Sequence, residues 1–121
     1  METHFPLKEE TYQIIGLCME VHNNLGHGFL EVVYKDSLQI EFERAGIKFE
    51  REKEYAVNYK GIILPHKFYA DFVVFDKIIL EVKGVKEIKD EHVAQTINCL
   101  KVSENKIALL VNFGEMKLLY R

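Results

Sequence analysis

At 121 residues, with 48% hydrophobic and 29% charged side chains, the chain is composed like an ordinary globular protein. It can withdraw roughly two-thirds of its unfolded surface from water, so residues 1–121 are expected to form one domain without staples. No apolar run nears the roughly 20 residues that span a bilayer, and the start METHFPLKEE lacks the basic and apolar regions of a signal peptide, which points to a cytoplasmic protein without membrane attachment.

The formal net charge of −3 argues against a coat protein that holds nucleic acid by blanket phosphate neutralisation. It leaves room for an enzyme whose basic residues gather on one face, and Lys83, Lys86 and Lys89 form such a local cluster. Cys18 and Cys99 have neither CxxC spacing nor histidines at zinc-ligand intervals, so a structural zinc site is not expected.

From about Lys8 to Leu25, Ile14, Ile15, Cys18, Val21 and Leu25 recur at helical spacing, and Gly26 follows as a stop. From Phe29 to Ala45, Leu30, Val33, Tyr34, Leu38, Phe42 and Ala45 trace a second helical face that ends at Gly46. Alternation and β-branched residues then take over. Residues 48–59 and 62–75 read as strands turning near Lys60 and Gly61, and 78–83 as a third strand after a turn near Asp76, which makes an antiparallel meander. Asp90 and Glu91 open a helix to about Val102, with Val93, Ile97 and Leu100 as its buried stripe. Residues 106–112 form a short apolar strand, and 116–120 offer one more. Strands as apolar as FYADFVVF and IILEV need cover on both faces, so helices are expected on either side of a mixed sheet.

Asp71 lies inside FYADFVVF and Glu81 inside IILEVK. Carboxylates are rarely buried unpaired, so each needs a partner or a purpose. Side chains alternate along a strand, which puts Glu81 and Lys83 on one face. Whether Asp71 joins them depends on the hairpin. A two-residue turn at Asp76 and Lys77 would set Asp71 opposite Val82, on the wrong face; a three-residue loop of Phe75, Asp76 and Lys77 would set it opposite Glu81, and a one-residue bulge would also restore the face. One of the last two is expected. In the plainer reading, Glu81 and Lys83 form a half-buried ion pair and Asp71 makes a turn or backbone contact. In the sharper one, two acids and a lysine in an apolar sheet suit Mg²⁺, which takes hard oxygen ligands and leaves room for water and phosphate.

An acid in the second strand, Glu-x-Lys in the third and a helical glutamate before them resemble the PD-(D/E)xK nuclease superfamily. More narrowly, Gly28, Glu31 and Tyr34 spell the motif of the GxxExxY proteins, a small family placed in it. The likeness runs from IIG at Ile14 through EVHNNLGHGFLEVVY, YADFVV, LEVKGV, AQTINCLK and LLVNFG. The resemblance implies an α/β fold with a restriction-endonuclease-like core, α-β-β-β-α-β, around a mixed central sheet flanked by helices. It implies Asp71 and Glu81 as metal ligands with the backbone carbonyl of Val82, Lys83 as the catalytic lysine, Glu31 as an acid contacting metal through water, and Gln95 as the glutamine of a Q-x-x-x-Y helix motif. Cys99 stands where that tyrosine would be, and Ala70 precedes Asp71 in place of the proline.

The function implied is hydrolysis of DNA or RNA phosphodiesters with Mg²⁺, or alternatively Mn²⁺. A homodimer would give so small a chain more surface for a duplex. The alternatives are a non-catalytic nucleic-acid- or protein-binding module that retains the nuclease fold, and a structural domain that assembles with a larger partner.

The stretch GHGFLEVVY carries two readings of its own. With Gly28 as cap, Glu31 falls at the third helical position and can reach back to the cap backbone. Glu31 also shares a face with Tyr34 and Leu38, the face expected to lie on the sheet. Among the histidines, His22 is expected to cap or pack, while His27 and His92 are expected to be exposed.

Overall fold

A computed structural model describes residues 7–103, 105 and 107–120; the reading of the first six residues and the placing of Lys106 in a strand lie outside the described residues. Helix α1 (Lys8–Leu25) buries Ile14, Ile15, Cys18 and Val21 of the stripe its spacing predicts, with Leu25 half-buried, and closes where the Gly26 N–H donates to the His22 carbonyl at φ 70°. Helix α2 (Glu31–Arg44) buries Tyr34, Leu38 and Phe42. It begins later than its apolar pattern suggested, because Phe29 and Leu30 belong to the incoming loop. Leu30, extended at φ −64° and ψ 152°, is the capping residue, without a side-chain cap bond. Gly28 is therefore not the cap, and Glu31 is the first residue of the helix rather than the third.

Strands β1 (Phe49–Tyr59), β2 (Ile62–Val74) and β3 (Ile78–Lys83) follow, then helix α3 (Asp90–Ser103) and strands β4 (Ile107–Asn112) and β5 (Leu119–Tyr120). The last strand is shorter than the expected 116–120. The sheet order is β1-β2-β3-β4-β5. All neighbours are antiparallel except β3 and β4, whose parallel pairing requires a crossover that α3 supplies. The expected α-β-β-β-α-β core is thus present, with α1 in front of it and β5 after it.

Strand β3 is buried from Ile78 through Val82, as a strand covered on both sides must be. On one side α1 and α2 cover a core that includes Phe42, Phe72, Val74, Ile78, Leu80, Val82 and Phe113. On the other, α3 covers a smaller cluster of Ala70, Val73, Ile79 and Cys99; it buries Thr96 and Cys99 rather than the expected stripe, because Val93 and Leu100 are half-buried and Ile97 is exposed beside a cleft against β4.

Two local features position the acids. Val74 pairs with Ile78 and Phe72 with Leu80, so β2 and β3 are joined by the three-residue loop Phe75, Asp76 and Lys77; Phe75 and Asp76 turn the chain through left-handed conformations, at φ 57° and 59°. The second feature lies between β1 and β2. Arg51 pairs with Phe72 and Lys53 with Ala70, but the intervening rung of Glu52 and Asp71 is interrupted without a change of register, and Glu52 stands at φ 53°. Phe72 and Val74 face α1 and α2, whereas Ala70 and Phe68 on the same strand pack in the α3 cluster. Both strands therefore turn their faces over at this rung, and Asp71 sits at the crossover.

Candidate active site

Beyond Phe72 and Leu80 the β2–β3 ladder stops. In its place the Asp71 side chain takes the hydrogen bond, Oδ2 accepting from the Val82 N–H at 2.8 Å. Its other oxygen, Oδ1, accepts from the Lys35 amine of α2 at 3.1 Å. Asp71, Glu81, Lys83 and Gln95 line one cavity of about 290 Å³, with Phe68, Tyr69 and Thr96 completing the walls. Four of the sequence-predicted residues thus meet. The plainer alternative is only half met: Asp71 does make a backbone contact, but among the described residues Lys83 forms no ion pair with Glu81 or any other acid.

The electrostatics follow from burial. Glu81 is 9% exposed. Burial, and next the charge of Asp71, push its carboxyl up to about 8, with Lys83 pulling the other way. Near neutral pH Glu81 thus holds a proton. Cys99, beside Glu81 on α3, is raised by burial and by that carboxylate. Lys35 is lowered by burial but raised more by its bonds to Glu52 and Asp71, so it stays an ammonium. Burial disfavours the charged form of each group, and a neighbouring opposite charge favours it.

The chain leaving Lys83 is tied down residue by residue. The Lys83 carbonyl accepts from the Phe113 N–H at 2.8 Å, and the Gly84 N–H donates to Glu31 Oε2 at 3.1 Å. Val85 donates its N–H to Asn112 Oδ1 at 3.0 Å and accepts from Asn112 Nδ2 at 2.9 Å. Asn112 is fully buried, and its amide also bonds Glu115 Oε2 and the Gly114 N–H. A Cβ on Gly114 would stand 2.2 Å from the Val85 carbonyl oxygen, so only glycine admits this approach.

Glu31 therefore bonds neither its own helix nor Asp71 and Glu81: its carboxylate crosses to the end of β3. Tyr34 acts nearby. Its hydroxyl donates to the Gly26 carbonyl at 2.7 Å and accepts from the Phe29 N–H at 3.2 Å, while its ring stacks on Phe113 with centroids 4.6 Å apart. His22 is buried and packs as expected, its Nε2 bonding the Glu115 carbonyl at 2.9 Å. His27 is exposed. His92 is instead half-buried and accepts from the Lys89 N–H through Nδ1 at 2.9 Å, closing the start of α3.

The model of the PD-(D/E)XK nuclease superfamily matches residues 8–121. The chain belongs to this superfamily. Searches of curated proteins and of solved structures returned no significant match. PD-(D/E)XK nucleases act on nucleic acid and generally use divalent metal ions. Among the described residues no group of three or more His, Cys, Asp or Glu side chains could hold a metal, and no helix is long and apolar enough to cross a membrane.

The donor chemistry nevertheless fits a divalent ion. Asp71 and Glu81 are hard oxygen donors on one cavity, and burial together with the charge of Asp71 holds a proton on Glu81, a penalty that a cation would relieve. Mg²⁺ is content with one or two protein carboxylates and water. Sequence reasoning passed over three residues of this PD-(D/E)XK site: Lys35, Glu52 and Asn112. Lys35 was readable as the base one turn after Glu31 on α2, and Asn112 as the amide that ends the apolar run IALLV. Nothing in sequence pairs Glu52 with Asp71, since that rung exists only once two strands align.

Proposed function

We propose that the chain is a divalent-metal-dependent nuclease, best served by Mg²⁺ with Mn²⁺ as a substitute, that hydrolyses phosphodiesters of DNA or RNA. The observation that carries this reading is the convergence of Asp71, Glu81 and Lys83 on one cavity where the β2–β3 ladder frays. Asp71 and Glu81 would hold the cation together with the backbone carbonyl of Val82. When bound, the cation supplies Lewis acidity toward the phosphodiester and polarises an attacking water. Lys83, without an acid partner among the described residues, orients that water or meets charge developing on the phosphate. Gln95, on α3 at the cavity wall, contacts the nucleic acid or the water. Glu31 fixes the strand end through Gly84, and from there it would act on the cation through water rather than as a direct ligand.

The placing of Gly28, Glu31 and Tyr34 in the GxxExxY family forms part of the same reading. It is supported by the bonds that Glu31 and Tyr34 make around the α1–α2 loop and the end of β3. So do a single domain over residues 1–121, a cytoplasmic setting in keeping with two free buried cysteines, and a homodimer for gripping a duplex. The net charge of −3 favours one second reading, a binding module that keeps the fold without turnover.

Labelled DNA and RNA incubated with Mg²⁺ or Mn²⁺ test the proposal. Wild type is expected to cleave, and Asp71→Ala and Lys83→Ala to lose on the order of 10² to 10³ in rate. Equal cleavage by all three would mean a contaminant, and neither cleavage nor metal binding would sink the proposal. Salt-dependent binding without cleavage would favour the second reading.

A further inference from the structure

The amine of Lys35 is shared between two acids. It donates to Asp71 Oδ1 at 3.1 Å and also bonds Glu52. The three groups differ in exposure: Lys35 and Asp71 side chains are 14% and 18% exposed, that of Glu52 48%. Glu52 and Asp71 face each other across the interrupted rung, and Glu52 is held there in a left-handed conformation, unusual for a residue with a side chain inside a strand. Both Asp71 oxygens already have a donor, one a rigid backbone N–H and the other a lysine on a flexible stem.

From this geometry we infer that Lys35 and Glu52 form a gate on Asp71. In the metal-free protein Lys35 supplies the positive charge at Asp71. Cation binding drives Lys35 wholly onto Glu52, which is placed to receive it. This rests on the reading of Asp71 as a metal ligand. Its physical basis is like-charge repulsion, since an ammonium beside Asp71 opposes a divalent cation at the same carboxylate. Glu52 gives the displaced amine a partner nearer to water, so the lysine is not left buried and unpaired.

The gate predicts effects of opposite sign on a measurement independent of activity. Mn²⁺ is titrated calorimetrically into the metal-free full chain without nucleic acid. Lys35→Met is expected to tighten binding about tenfold and Glu52→Gln to weaken it by a similar factor. In the double variant, Glu52→Gln is expected to have no further effect, because its role passes through Lys35. Glu52 is half exposed, so its variant remains informative if Lys35→Met does not fold.

Each other outcome decides something definite. Binding that disappears in Asp71→Asn but is unchanged or weaker in Lys35→Met overturns the gate and leaves the metal reading intact. A Glu52→Gln effect of equal size with and without Lys35 reduces the pair to diffuse charge and also overturns the gate. No binding by wild type or Lys35→Met, or binding that survives Asp71→Asn, overturns both. Binding by Lys35→Met alone would support the gate in its strongest form.

Discussion

The face of the sheet under α1 and α2 and the face under α3 are made from the same strands but filled differently. Under α1 and α2 large side chains interlock: Phe42 meets Phe72 edge-on at 5.4 Å, and Tyr34 stacks on Phe113. Under α3 the buried apolar residues are Ala70, Val73, Ile79 and Cys99, and the cavity holding Asp71, Glu81 and Lys83 opens beside them. A second, mostly apolar cleft lies between α3 and β4, lined by Val93, Ile97, Leu100 and Leu110. Close packing carries stability, whereas a reactive centre needs room and polar groups that a dense core would exclude. This chain places its close packing on one face of the sheet and its candidate site on the other.

Adjacent isoleucines on β3 provide the sharpest way to break it. Ile78 and Ile79 are both fully buried, one toward each face. Ile78→Ala is expected to cost about 4 kcal/mol and Ile79→Ala about 2 to 3 kcal/mol, since the looser face can relax around the cavity. Urea unfolding measures both, and equal losses would contradict the division.

Asn112 ends β4 and holds the chain that leaves β3. Its replacement by alanine leaves the Val85 N–H and carbonyl without partners and is expected to cost about 2 to 3 kcal/mol. It should also reduce cleavage through looser placement of Lys83. Full retention of both stability and rate would show that the end of β3 needs no such anchor.

Glu81 predicts a pH dependence confined to the α3 face. Its folded carboxyl is raised from 4.5 to about 8, so between these values the folded state binds the proton that the unfolded state has released. Its contribution to metal-free stability is present below about pH 4.5 and is lost as pH rises to about 8. The change is expected to be roughly 2 kcal/mol, less than the whole shift implies because the cavity admits water. Thermal melts of wild type and Glu81→Gln across this window should differ in slope, with the variant flatter; parallel curves would remove Glu81 as the cause.

Smallest of all, Glu31→Gln keeps an acceptor for the Gly84 N–H and should change stability by less than about 0.5 kcal/mol, whereas Glu31→Ala should cost about 1 kcal/mol. A large destabilisation by Glu31→Gln would mean that the charge itself, not the hydrogen bond, holds the strand end.

Much of this architecture was legible in one dimension. The stripes of α1 and α2, the β1–β3 meander and the double-sided burial of IILEV follow from periodicity, because backbone geometry ties side-chain direction to sequence spacing. The joint placing of Asp71 and Glu81 depended in part on a count of loop residues, and that count is three; the turn-over of the strands at the rung of Glu52 was not legible. The start of α2 was less legible: a glycine before a glutamate reads as a cap, but Tyr34 draws the Phe29 N–H into the loop and the helix begins at Glu31.

Sequence alone determined which residues could carry the chemistry, since acids and a lysine inside apolar strands are conspicuous wherever they fall. Tertiary structure alone decided their partners. Glu31 bonds a residue 53 positions away, Asn112 one 27 positions away, and Lys35 reaches Asp71 only because two strands turn over at the rung of Glu52. Such contacts depend on register and on the approach of a helix to a sheet, and those are set by the packing of the whole chain.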